Sequence, residues 1–275
     1  MQKAVEREVF KHLFSSVAEE MGVRLQRSAF SPNIKERRDF SCAMFDEAGR
    51  LVAQAAHIPV HLGAMPLSVD ACRRHLTFEP GDVAILNDPF HGGTHLPDIT
   101  VVSPVFVGND RLLGFVANRA HHADVGGMSP GSMPLSRELY QEGIIIPPVK
   151  LMEVGRMNQA LWDFFLANVR TPRERAGDLQ AQLAANRIGE QRLRELASRY
   201  GVERVRDNMS ELLAYSEQLT RHGIRQLPDG TYRLENRAIG AIPLFISANG
   251  TSLRDPRMYE YESIINTLLE DAPAG

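Results

Sequence analysis

The segment Asn87-Asp88-Pro89-Phe90-His91-Gly92-Gly93-Thr94-His95-Leu96-Pro97-Asp98 constrains this chain more than any other. His91 and His95 are four residues apart, a spacing that on a helix would put both rings on one face. The residues around them rule that helix out. Gly92 and Gly93 lie between the rings and Pro89 and Pro97 bracket them, which breaks helical hydrogen bonding. The glutamate of an HExxH zinc helix is also missing. These histidines are therefore predicted to sit on a loop shaped by glycine and proline.

A loop can still bind metal. His95 and Asp98 are three residues apart across the stiff Pro97, and an imidazole with a carboxylate suits zinc, manganese or iron. Nine histidines occur in the chain, and seven of them fall between His57 and His122. The best source of further donors is Ala120-His121-His122-Ala123-Asp124-Val125-Gly126-Gly127, a glycine-rich loop directly after a predicted strand. His57 and His61 could line the same pocket, but their apolar neighbours favour a structural role. His12, His75 and His222 read as helix-surface residues.

The periodicity around this region predicts a mixed α/β (α+β) chain. Val5, Val9, Leu13 and Val17 mark an amphipathic N-terminal helix expected to end near Gly22. Ser31 to Asp39 reads as a loop. Cys42–Phe45 and Leu51–Ala53 read as strands around a turn at 46–49, and Val83–Leu86 as a short strand. Thr100–Val107 and Leu112–Asn118 flank Gly108-Asn109-Asp110, a hairpin signal. Ile144–Ile146 is one more strand candidate. Thr171-Pro172-Arg173-Glu174 has the form of a capping box with proline at the first helical position. That helix is expected to stop at Gly201 and a second to follow from Val202, making a C-terminal helical hairpin. Asp229-Gly230 then turns into a strand at Tyr232. The expected division is a metal-site α/β region over 1–170, a helical region over 171–233 and a divergent tail over 234–275.

Composition excludes several classes. The net charge of -3 leaves no basic footprint for nucleic acid and none for an anionic membrane surface. No apolar run reaches the roughly 18 residues that a membrane span needs. Glu6 and Glu8 argue against a signal peptide, and two cysteines, Cys42 and Cys72, form neither a disulfide framework nor a CxxC pair. A cytoplasmic setting is expected. Gly127-Met128-Ser129-Pro130-Gly131 has the GxSxG form of a nucleophile elbow. Pro130, however, has no N–H to offer an oxyanion. Ser129 and Ser132 read instead as loop formers or donors to a ligand. There is no phosphate loop and no GxGxxG fingerprint.

Several longer motifs, in order, resemble the hydantoinase B family. They are Ser28 to Ser41, His57 to Pro66, Asn87 to Asp98, His121 to Gly131 and Glu142 to Pro148. The likeness runs from about residue 5 to Tyr232. It implies the B-type subunit of an ATP-dependent cyclic-amide hydrolase, opening hydantoin or 5-oxoproline rings with a metal-bound water. A hydantoinase A-type partner would use ATP to activate the substrate. The resemblance puts metal ligands at His95, Asp98 and His121, with Asp39 as a further candidate. The base is expected at Asp124 or Asp88, Asp124 being alternatively a ligand or an orienting group. A subunit of an acetone or acetophenone carboxylase, or a non-catalytic assembly module, are the other readings. Family members are longer, and the tail from Leu234 departs from their pattern, so the resemblance implies a shortened chain.

Overall fold

The computed structural model describes residues 2–55, 57–108, 110–226, 230–236 and 240–246. The chain opens with α1 (Gln2–Ser28), whose buried stripe is Phe10, Phe14, Val17, Met21 and Leu25. Spacings of three and four put these side chains on one face. The helix runs past Gly22, contrary to the expected stop. A Cβ there would lie 2.7 Å from the His57 ring, so glycine serves close packing and not termination. The expected loop after it holds one helical turn, α2 (Pro32–Lys35), opened by its proline.

Seven strands form one antiparallel sheet: β1 (Phe40–Asp46), β2 (Leu51–Gln54), β3 (Val83–Leu86), β4 (Asp98–Val107), β5 (Arg111–His121), β6 (Val149–Glu153) and β7 (Arg156–Met157). Their order is β2-β1-β5-β4-β3-β6-β7. The predicted hairpin is β4 and β5, the longest pair, with Asn109 of its turn outside the described residues. Ile144–Ile146 is not a strand. Its backbone is held by the Asn87 side chain, which donates to Ile144 O at 2.9 Å and accepts from Ile146 N at 2.7 Å.

Helices cover both faces of the sheet, because strand side chains alternate and both sets are apolar. On one face, α3 (Pro59–His75) packs Met65, Val69 and Cys72 on Ala43, Val102, Phe115 and Ala117. Burial pushes the Cys72 thiol up to about 12, which fits an inert core residue. On the other face, α5 (Pro172–Tyr200) packs Leu179 and Leu183 with Ile99 and Val101, alongside Phe165 of α4 (Gln159–Ala167). Each such buried aliphatic side chain contributes about 1.5–3 kcal/mol. Gln182 and Asn186 fix the helix on the strands, donating to Ile99 O at 2.8 Å and Val101 O at 3.1 Å.

Pro172 opens α5 as expected, but the capping box does not form. Thr171 makes no side-chain cap bond, and Glu174 pairs with Arg175 at 2.5 Å instead. Gly201, at φ 88, separates α5 from α6 (Val202–Gln226). Residues Met1–Met209 make one compact unit and Ser210–Gly275 another. In the second, β8 (Gly230–Asn236) pairs antiparallel with β9 (Gly240–Ile246). Asp229 and residues 247–275 of the expected tail lie outside the described residues. Among the described residues no helix is long and apolar enough to cross a membrane.

Candidate metal centre

The site forms where the central strands end. Asp98, the first residue of β4, lies directly opposite His121, the last of β5. Alternation points both to the α3 side, in step with Val102 and Ala117 of that core. Asp39 arrives from the neighbouring strand end, where its carbonyl accepts from His121 N at 3.0 Å. His95 comes from the loop before β4, and His61 from the first turn of α3.

Asp98 is 1% exposed and is surrounded by nitrogen atoms. His95 Nδ1 is 2.9 Å from Oδ2, His61 Nε2 is 3.2 Å from Oδ2, and His121 Nδ1 is 3.2 Å from Oδ1. Thr94 also donates to Oδ2. Burial alone would raise this carboxyl's pKa, but hydrogen bonds from His121, His61 and His95 outweigh it and hold the group far below the usual carboxylate range. Burial pushes His95 down, and its bond to Asp98 more than reverses that, leaving a raised value. One ligand atom from each of His95, Asp98 and His121 lies within 4.8 Å of the others, a group that could hold a metal ion. His61 Nε2 reaches 3.6 Å from Asp39 Oδ1. All five residues line a pocket of about 520 Å³ with Asn33, Arg37, Ile58, Val60, Thr94 and Met133.

The loop carrying His95 is tied down from below. A 3-10 turn, Pro89–His91, is capped by Asp88, which accepts from Phe90 N at 2.9 Å. Gly92 follows at φ 85, and a Cβ on it would lie 2.4 Å from Ser68 N. Only glycine fits both demands. The Gly92 carbonyl accepts from Ser68 Oγ at 2.7 Å and from Arg119 Nη2 at 2.8 Å. Arg119 is fully buried and also donates from Nε to Thr100 Oγ1 at 2.8 Å. Burial pushes its guanidinium down to about 10, against the pull of Asp98.

His95, Asp98, His121 and Asp39 are brought together at this pocket. Asp88 and Asp124, the expected bases, are not among its lining residues. Asp88 turns its second oxygen to His91 Nδ1 at 2.8 Å. Asp124 accepts from Gly126 N, Arg170 N and the Arg170 guanidinium, the last at 2.8 Å. Both carboxylates are engaged in shaping loops. His122 alternates to the opposite face, where Nε2 meets Gln182 Oε1 at 2.9 Å and burial pushes it down to about 4. Ser132 also acts within its loop, accepting from Val125 N and donating to Gly126 O, each at 2.8 Å. His61, for which the sequence reading favoured a structural role over a place in the pocket, lines the pocket beside Asp98. Its available signal was Pro59, which marks a helix start two residues before it.

A family model described as hydantoinase B/oxoprolinase matches residues 3–252. The chain belongs to the hydantoinase B/oxoprolinase family. Among relatives, 5-oxoprolinase 1 of Arabidopsis thaliana is 38% identical over 287 residues, covering 98% of this chain and 22% of that protein. An uncharacterized protein of Methanocaldococcus jannaschii, MJ0963, is 47% identical over 226 residues, covering 80% and 40%. The ATP-dependent caprolactamase of Pseudomonas jessenii has the same fold, with a TM-score of 0.81, 30% identity, and coverage of 89% of this chain and 44% of that one. This hydantoinase B/oxoprolinase chain thus spans less than half the length of the relatives it matches.

Proposed function

We propose that the chain is the metal-bearing B-type part of an ATP-dependent cyclic-amide hydrolase, acting on rings such as hydantoin or 5-oxoproline. The observation that carries the reading is the His95–Asp98–His121 donor set at the floor of a pocket, in a chain of this family. Two imidazoles and a carboxylate kept ionised suit zinc, manganese or iron. Asp39 is the fourth donor, from the adjoining strand end. A divalent ion held by these residues would supply Lewis acidity and would lower the pKa of water at the site.

The chain's own residues do the positioning. His61 Nε2 sits 3.2 Å from Asp98 and 3.6 Å from Asp39, so its ring packs between the two carboxylates and helps position them. Thr94 fixes the Asp98 oxygen that also faces His95. Ile58, Val60 and Met133 form the apolar wall against which a small ring packs and sheds water. An A-type partner consumes ATP to activate the amide, as the ATP dependence of the similar caprolactamase suggests.

Metal analysis of wild type against His95→Ala tests the centre: the wild type holds about one ion per chain, and equal content in both overturns it. Co-expression with an A-type subunit tests the reaction by ATP-dependent ring opening. Carbon from labelled bicarbonate in the product would instead mark a carboxylase.

A further inference from the structure

Arg37 lines the pocket of the donor triad, yet among the described residues its side chain makes no hydrogen bond or ion pair. Its position is built. Backbone bonds from Arg37 N to Pro32 O and from Asp39 N to Asn33 O, both 3.0 Å, close the turn that carries it. Between these two residues Arg38 sits at φ 57, a left-handed conformation that an arginine adopts at an energetic cost. The turn leaves both Arg37 and Asp39 on the pocket wall.

Charge then decides what such a pocket takes. Asp39 and Asp98 are its two carboxylates, and a divalent ion, on the reading proposed above, neutralises both. Arg37 remains as the uncompensated charge. The α3 start, with Ile58, Val60 and His61 on the wall and no side-chain cap, adds a positive helix end. The volume of about 520 Å³ and the wall of Ile58, Val60 and Met133 suit a small, partly apolar body.

We propose that Arg37 is the anion-recognising residue of this pocket, gripping an oxyanion group on a small ring substrate. Guanidinium binds carboxylate and phosphoryl oxygens in the same two-pronged way. The group is therefore either the substrate's own carboxylate or a phosphoryl group placed on the activated amide.

Calorimetric titration of the metal-loaded full chain separates these sources. The probes are 5-oxoproline, 2-pyrrolidinone (the same ring without the carboxylate) and inorganic phosphate, each against wild type, Arg37→Met and Arg37→Lys. The expected result is that an anionic probe binds wild type, that Arg37→Met weakens it at least tenfold, and that Arg37→Lys falls between. 2-Pyrrolidinone loses less than twofold. Loss confined to 5-oxoproline identifies the carboxylate, and loss confined to phosphate the phosphoryl group. Anion affinities of Arg37→Met within twofold of wild type, or no anion binding to wild type, overturn the proposal. Metal content is measured on the same samples. Equal metal with unchanged anion binding sinks Arg37 alone, whereas absent metal sinks the centre. In that case the metal-free titration judges Arg37 separately by the same tenfold criterion.

Discussion

Asp98 receives three imidazoles and a threonine hydroxyl on two oxygens, which makes it the residue on which the centre turns. Asp98→Asn keeps the shape and removes the charge. It is expected to lower metal affinity by on the order of 100-fold or more, read by competition with a chelator. His61→Ala frees both carboxylates without removing a member of the triad. The expected loss is about 10–100-fold in affinity with an unchanged far-UV circular dichroism spectrum; wild-type affinity would show that His61 orients nothing. At this scale the sequence was readable where chemistry is local. His95 and Asp98 stand out because three residues and a proline separate them. His61 did not, since only the tertiary packing of α3 on the sheet brings it to Asp98. Asp88 and Asp124 lie outside this pocket and bond within their own loops, because acidic residues in glycine-rich loops serve the backbone as readily as a substrate.

Elements hold the donors still. The loop before β4 depends on Gly92, where positive φ and contact with Ser68 exclude any side chain. Gly92→Ala is expected to cost about 2–4 kcal/mol in a urea melt, combining backbone strain with overpacking, and to reduce metal uptake. A second tie lies at the other end of β3. Asp82 accepts from Glu79 N and Val154 N, both at 2.8 Å, and faces Lys150 Nζ at 2.7 Å. Burial raises its pKa, but Lys150 and the two N–H groups prevail and the carboxyl is lowered. Its contribution is therefore present above the unfolded carboxyl value near 3.9. It disappears as pH falls through the lower folded value. Wild type is expected to lose urea stability as pH falls below about 4, and Asp82→Asn to lose less over the same range. The β4–β5 hairpin was legible from its turn and alternation, and α5 from its stripe. The helix α3 was hidden by Pro66 in its interior and by glycine in its first turns. Sheet contact compensates for that weak local propensity, which no local pattern reveals.

At the scale of the whole molecule, every residue of the candidate centre belongs to the unit Met1–Met209. A chain ended after Met209 is expected to take up metal with an affinity within about threefold of the full chain, a negligible energy difference. Loss of uptake in a folded truncated chain would refute that independence. The sheet order was not legible, because β6 and β7 join the far edge beyond β3, and side-chain alternation says nothing about which strands become neighbours. The opposition of Asp98 and His121 across the β4–β5 pair has one more consequence. A slip of one residue in that pairing would turn a ligand to the wrong face, so the floor of the pocket is locked to the ladder of the sheet. The walls, from Ile58, Val60, Arg37 and Met133, come from turns and a helix start that carry no such lock. On the proposed function, the walls can therefore change without disturbing the donors of the floor, which separates what holds the metal from what selects the molecule above it.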